Sequence, residues 1–99
     1  MEVSVDQLKQ AVEGQHGGKA VLARVRRVKE VWDGKTVWEG VVHTFDLEGH
    51  PKATRAYAWS SPIEESDKRR FYAVLRLGRI RSAPSAVRAA IVAERRVKK

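Results

Sequence analysis

"KAVLARVRRVKEVWDGKTVWEGVVHTFDL", residues 19–47, decides the fold. Two runs rich in β-branched and aromatic residues, KAVLARVRRVKEVW and TVWEGVVHTFDL, stand on either side of Asp33-Gly34-Lys35. Asp-Gly supplies the left-handed backbone that a tight β-turn needs, so the two runs read as one long antiparallel hairpin.

Working outward, EGHPK (48–52) ends the second strand, because Gly49 and Pro51 both disfavour a continued ladder. ATRAYAWS (53–60) reads as a third strand, SPIEESDK (61–68) as a polar loop around Pro62, and RRFYAVLRL (69–77) as a fourth strand. Ahead of the hairpin, VSVDQLKQAVEG has the signals of a short helix. Ser4 and Gln7 suit a capping box, Val3 and Leu8 a hydrophobic staple, and Gly14 a C-terminal stop, with Val5, Leu8 and Val12 on one face. After the fourth strand, Ser82 can cap a second helix with Pro84 in its first turn, and Val87, Ala90 and Ile91 form its apolar stripe. The expected architecture is α+β, in the order α-β-β-β-β-α: a four-stranded antiparallel sheet with an N-terminal and a C-terminal helix packed on one face. The 99 residues suit a single domain over 1–97, with Lys98 and Lys99 a basic tail.

Composition narrows the function classes. With 42% hydrophobic and 32% charged residues the chain suits a globular protein. No apolar run approaches the roughly 20 residues that span a bilayer, and the acidic, amphipathic N-terminus is unlike a secretory signal, so a cytoplasmic protein with no membrane association is expected. Zero cysteines exclude disulfides, thiol nucleophiles and cysteine-ligated zinc. The net charge is +8 and lies in one half: residues 1–50 carry seven Lys/Arg against eight Asp/Glu, residues 51–99 thirteen against four. Such asymmetry favours an anionic partner: RNA or DNA, an acidic protein or a membrane surface.

Period-two alternation sorts the strand residues onto two faces. One gathers Val21, Ala23, Val25, Val37, Val41, Phe45, Leu47, Ala56, Ala58, Phe71, Ala73, Leu75 and Leu77, small and aliphatic as a helix-covered face should be. The other gathers Leu22, Arg24, Arg26, Trp38, Val42, Thr44, Arg55, Tyr57, Trp59, Tyr72, Val74 and Arg76. Four large aromatics among four arginines make a patch that something should cover. A second copy in a homodimer, stacked bases of single-stranded nucleic acid, or a long loop or the C-terminal segment folding back would each do so. The "VRRVKE" stretch breaks the alternation near Arg27 and Val28, which suggests a bulge, and a bulge flips the assignments on one side of it.

Chemistry-bearing constellations are few. His43, Asp46, Glu48 and His50 have the side chains of a metal or acid–base cluster, but His43 and Asp46 are an odd number of residues apart and point to opposite faces of an unbroken strand. No nucleophile elbow surrounds Ser60 or Ser61, and no phosphate-binding glycine loop or dinucleotide fingerprint occurs. The expectation is therefore a non-enzymatic protein with no metal and no cofactor. "KRRFYAVLRLGRIRS" (68–82) weighs more, with Lys68, Arg69 and Arg70 where the fourth strand begins and Arg76, Arg79 and Arg81 from its end into the last helix. Guanidinium forks beside a helix N-terminus suit phosphate. The bland alternative is a solvated edge whose arginines pair with Glu64, Glu65, Asp67 and Glu94.

The stretch WEGVVHTFDLEGHPKATRAYAWS (38–60) resembles one shared by small uncharacterised bacterial proteins of about this length, a likeness that runs on through SAVRAAIV (85–92). That resemblance implies no activity and no site residues. The helix, strands, helix order with EGHPK in a strand connection is also similar in outline to the double-stranded-RNA-binding domain. It departs at SAPSAVRAA (82–90), which lacks that family's lysine cluster at the start of the second helix, and in its long extra hairpin. The expected function is a small basic binding module for RNA or DNA. Its contacts would come from Trp38, Arg55, Tyr57, Trp59, Arg69, Arg70, Tyr72, Arg76, Arg79 and Arg81. The alternative is a homodimeric interaction or regulatory protein whose aromatic sheet face is the dimer interface.

Overall fold

A computed structural model describes residues 5–62, 68–78 and 80–97. The chain runs α1 (Val5–His16), β1 (Lys19–Trp32), β2 (Lys35–Glu48), β3 (Arg55–Pro62), β4 (Arg69–Leu75) and α2 (Ala83–Val97). The strands form one antiparallel meander in the order β1-β2-β3-β4. This is the expected α-β-β-β-β-α order. Asp33 and Gly34 take φ of 54° and 76° at the β1–β2 turn, as a two-residue turn matched to strand twist requires.

Helix α1 runs past Gly14 and stops at Gly17, whose φ is 78° and whose N–H donates to Glu13 O at 2.9 Å. The stop expected at Gly14 thus falls three residues later, where left-handed glycine actually ends the hydrogen-bond ladder. The capping residues Val3 and Ser4 lie outside the described residues. Helix α2 begins as expected: Ser85 N–H donates to Ser82 Oγ at 3.3 Å, and Ser82 N–H to Ser85 Oγ at 3.0 Å, a reciprocal cap.

The two helices lie on opposite faces of the sheet, not on one. Leu8 and Val12 of α1 pack with Ala20, Phe45, Leu47, Ala56, Ala58 and Ala73. Ala83, Ala86 and Val87 of α2 pack with Val28, Val42, Tyr57 and Trp59. Tyr57 and Trp59 alternate along β3 with Ala56 and Ala58, so the two clusters must flank the sheet. The physical reason is on the helix itself. The small residues Ala83 and Ala86 leave room for large rings, and an aromatic face is too apolar to leave in water. The core is therefore double, with the sheet as its middle layer.

Strands β3 and β4, and β2 from Trp38 onward, sort onto faces as the alternation predicts. Strand β1 does not. Its register with β2 shifts between Leu22 and Arg24, with Ala23 the extra residue, and again between Glu30 and Val31. The first bulge thus sits about four residues before the Arg27–Val28 position that the sequence pattern suggests. On its early side Leu22 pairs with Phe45 and Val21 with Asp46, so the faces of Val21 and Leu22 are exchanged relative to the sequence reading. Both are exposed, and this cost is small because neither enters a core. Beyond the bulge Arg24, Arg26, Val28 and Glu30 share the face covered by α2.

No helix among the described residues is long and apolar enough to cross a membrane.

Candidate anion-binding surface

The aromatics form a ladder across three strands. Trp38 of β2 meets Trp59 of β3 edge-on with ring centroids 6.2 Å apart, and Trp59 stacks on Tyr72 of β4 at 5.2 Å and 10°. The ring of Trp38 lies against Gly40, where a Cβ would come within 2.7 Å of it, and its Nε1–H donates to Ser61 Oγ at 2.9 Å. This last contact matters because β2 pairs with β3 only over His43–Asp46. Beyond that point the ring of Trp38 holds the two strands together.

These rings are not a free surface. Trp59 is 2% and Tyr57 4% exposed beneath α2, while Trp38 and Tyr72 are half-buried around them. The sequence-based assignment of Tyr57 and Trp59 to partner contact is corrected accordingly: the chain's own C-terminal helix takes the place expected for stacked bases or a second copy. Glu30 fastens the lid. Its buried carboxylate accepts Arg88 Nε–H of α2 at 2.9 Å and Trp32 Nε1–H at 3.2 Å. The Arg88 hydrogen bond holds the Glu30 carboxyl below its ordinary value, against the desolvation that would raise it.

The arginines divide into committed and uncommitted groups. Arg55 Nε–H donates to Asp46 at 3.1 Å and Arg27 to Glu39 at 3.0 Å, both on the surface. Arg69 is half-buried and donates to Ser60 Oγ at 2.8 Å and to Ser60 O at 3.2 Å. Arg70 is exposed at the same end of β4 and has an interaction of its own. Arg79 lies outside the described residues. Arg24, Arg26, Lys52, Arg76 and Arg81 are exposed, with no carboxylate partner among the described residues.

Three of these five come together. A cleft of about 310 Å³ at one end of the sheet is lined by Lys52, Ala53, Thr54, Arg76, Leu77, Gly78, Ile80 and Arg81. The meander builds it: the β2–β3 connection and the exit from β4 leave the sheet at the same end. His50 shapes one wall, its Nδ1 accepting the N–H groups of Lys52 and Ala53, both at 3.0 Å. This fixes a turn entered through Gly49 at φ 78° and requires the ring to be unprotonated at Nδ1. The other wall is pinned by Arg76 N–H to Arg55 O and Ile80 N–H to Leu77 O, both at 3.0 Å, with Ile80 packed against the α2 cluster. Sequence reading singled out Arg76 and Arg81 but missed Lys52. The signal that would have found it is strand parity: in an up-and-down meander, alternate connections share an end.

The four acid–base candidates disperse. His43 sits on the α1 face, paired with Ala58 and ring-stacked with Phe45 at 6.4 Å, whereas His50 serves the turn. His43 Nδ1 is buried with no hydrogen-bond partner among the described residues, and burial pushes its pKa down. Among the described residues no three His, Asp or Glu side chains gather as metal ligands.

No family model, curated protein or solved structure matches the chain.

Proposed function

We propose that the protein is a non-enzymatic module that binds RNA or DNA through the phosphate backbone. The observation that carries this reading is a group of five exposed cations, taken from those with no carboxylate partner among the described residues: Arg24 and Arg26 on β1, and Lys52, Arg76 and Arg81 around the cleft. A strand rises about 3.3 Å per residue and strands lie about 4.8 Å apart, so Arg24 and Arg76 stand roughly 15 Å apart on one sheet face. That span crosses several phosphates of a backbone. With Tyr57 and Trp59 under α2, base stacking has no platform there, and recognition rests on charge.

Binding of this kind is salt-dependent. If all five cations meet phosphates, the slope of log K against log salt is about −4.5, and affinity falls roughly 500-fold between about 50 and 200 mM salt. Fluorescence anisotropy of a labelled oligonucleotide measures this directly. Absence of binding at about 50 mM salt, where phosphate contacts are strong, refutes the reading.

A further inference from the structure

We infer that the cleft between the β2–β3 turn and the β4–α2 connection is a discrete site for one phosphoryl group, which on the reading above belongs to a nucleic acid. Surface arginines that merely solvate a sheet face are scattered and mobile. Here Arg76, Arg81 and Lys52 come from two separate connections and line one concavity. Both connections are held by hydrogen bonds, to His50 Nδ1 on one side and, on the other, to Arg55 O and, within the connection itself, to Leu77 O. The backbone that carries the cations is thus positioned before any ligand arrives, which lowers the ordering entropy that binding must overcome.

The ligand class follows from the donors. Two guanidinium forks offer paired N–H groups that match the oxygens of a phosphate, and the ammonium of Lys52 adds a point charge. The exposed Thr54 and Gly78 also line the cleft, beside the apolar Ala53, Leu77 and Ile80. With no carboxylate partner among the described residues on any of the three cations, their positive charge is left to the ligand. A backbone phosphate carries one negative charge and a terminal phosphate up to two, and its tetrahedral oxygens can accept from several directions at once, so it suits cations from two connections better than a planar carboxylate does. The volume of about 310 Å³ admits the group and its immediate substituent.

The test uses the full chain, labelled with nitrogen-15, and inorganic pyrophosphate as probe at low salt. The expected result is saturable movement of the amides of Lys52, Gly78 and Arg81 along one common isotherm. In Arg76→Gln the affinity should drop about tenfold or more, the effect of losing one charged hydrogen bond. Lys29→Gln, on the exposed hairpin, should bind as the parent does. Shifts that climb without saturating, that spread equally to Arg24 and Lys29, or that a poly-glutamate peptide produces equally well overturn the site. An oligonucleotide then separates the two levels of the argument. Saturable pyrophosphate binding without oligonucleotide binding keeps the site, assigns it to a small phosphorylated molecule and removes the nucleic-acid reading. Oligonucleotide binding with no saturable pyrophosphate response removes the site and leaves diffuse charge as the cause.

Discussion

Val87→Ala tests the arrangement on which the rest depends, the seating of α2 on the aromatic face. Val87 is fully buried, packed with Val28, Val42, Tyr57 and Trp59. The substitution removes two methyl groups, worth about 0.8 kcal/mol each on transfer from water. A residual cavity of some 20–30 Å³ adds about 0.5–0.7 kcal/mol at roughly 24 cal/mol per Å³. The expected loss is thus about 2 kcal/mol. For a domain of this size each 1 kcal/mol moves the melting temperature by about 4–8 °C, so a fall of roughly 8–16 °C is expected. Urea unfolding followed by circular dichroism gives the free energy, and tryptophan emission reports whether Trp59 is reached by water. Val87→Thr keeps the shape but buries a hydroxyl, and should cost a comparable 1–3 kcal/mol. A change below about 0.5 kcal/mol in both variants is what an exposed helix face would give, and would show that α2 does not cover the rings.

Other outcomes follow from single contacts. Glu30 has a depressed folded pKa, so its stabilisation is present above its ordinary value of 4.5 and is lost as pH falls through the lower folded value. Stability of the parent should therefore decline on acidification below about pH 4.5 more than that of Glu30→Gln; parallel pH curves would count against the Arg88 clamp. Gly40→Ala should cost about 1–3 kcal/mol by displacing the Trp38 ring, with a matching change in near-ultraviolet dichroism; an unchanged spectrum would place the ring elsewhere. His50→Ala leaves the N–H groups of Lys52 and Ala53 without their acceptor and should weaken phosphate binding, while His50→Asn, which can form the same turn, should restore it. Failure of the asparagine rescue would make His50 a ligand contact. Oligonucleotide binding by Arg76→Gln/Arg81→Gln should show a salt slope shallower by about 2, and an unaltered slope would place the contacts elsewhere.

Much of the fold was legible because it was encoded locally. Asp33-Gly34 set the hairpin, Ser82 with Pro84 set the start of α2, and alternation sorted most of the strand residues correctly. The candidate site was legible only in part. Arg76 and Arg81 stood out as basic residues beside a helix start, but Lys52 joins them through strand order. Tyr57 and Trp59 were rightly placed on one face, yet a face in a sequence carries no sign of what covers it. The bulge at Ala23 escaped because small residues fit either side, so the pattern there constrains nothing.

The sequence by itself determined the elements, their order, the basic character of the second half and the sidedness of the rings, all of which follow from neighbours a few residues apart. Tertiary structure alone decided that α1 and α2 take opposite faces, that Glu30 and Arg88 meet across 58 residues, and that three cations share one cleft. The physical reason is that helix placement is settled by competition for buried area. An amphipathic helix states that it needs an apolar surface; which of two apolar faces it takes depends on the free energy of the whole assembly.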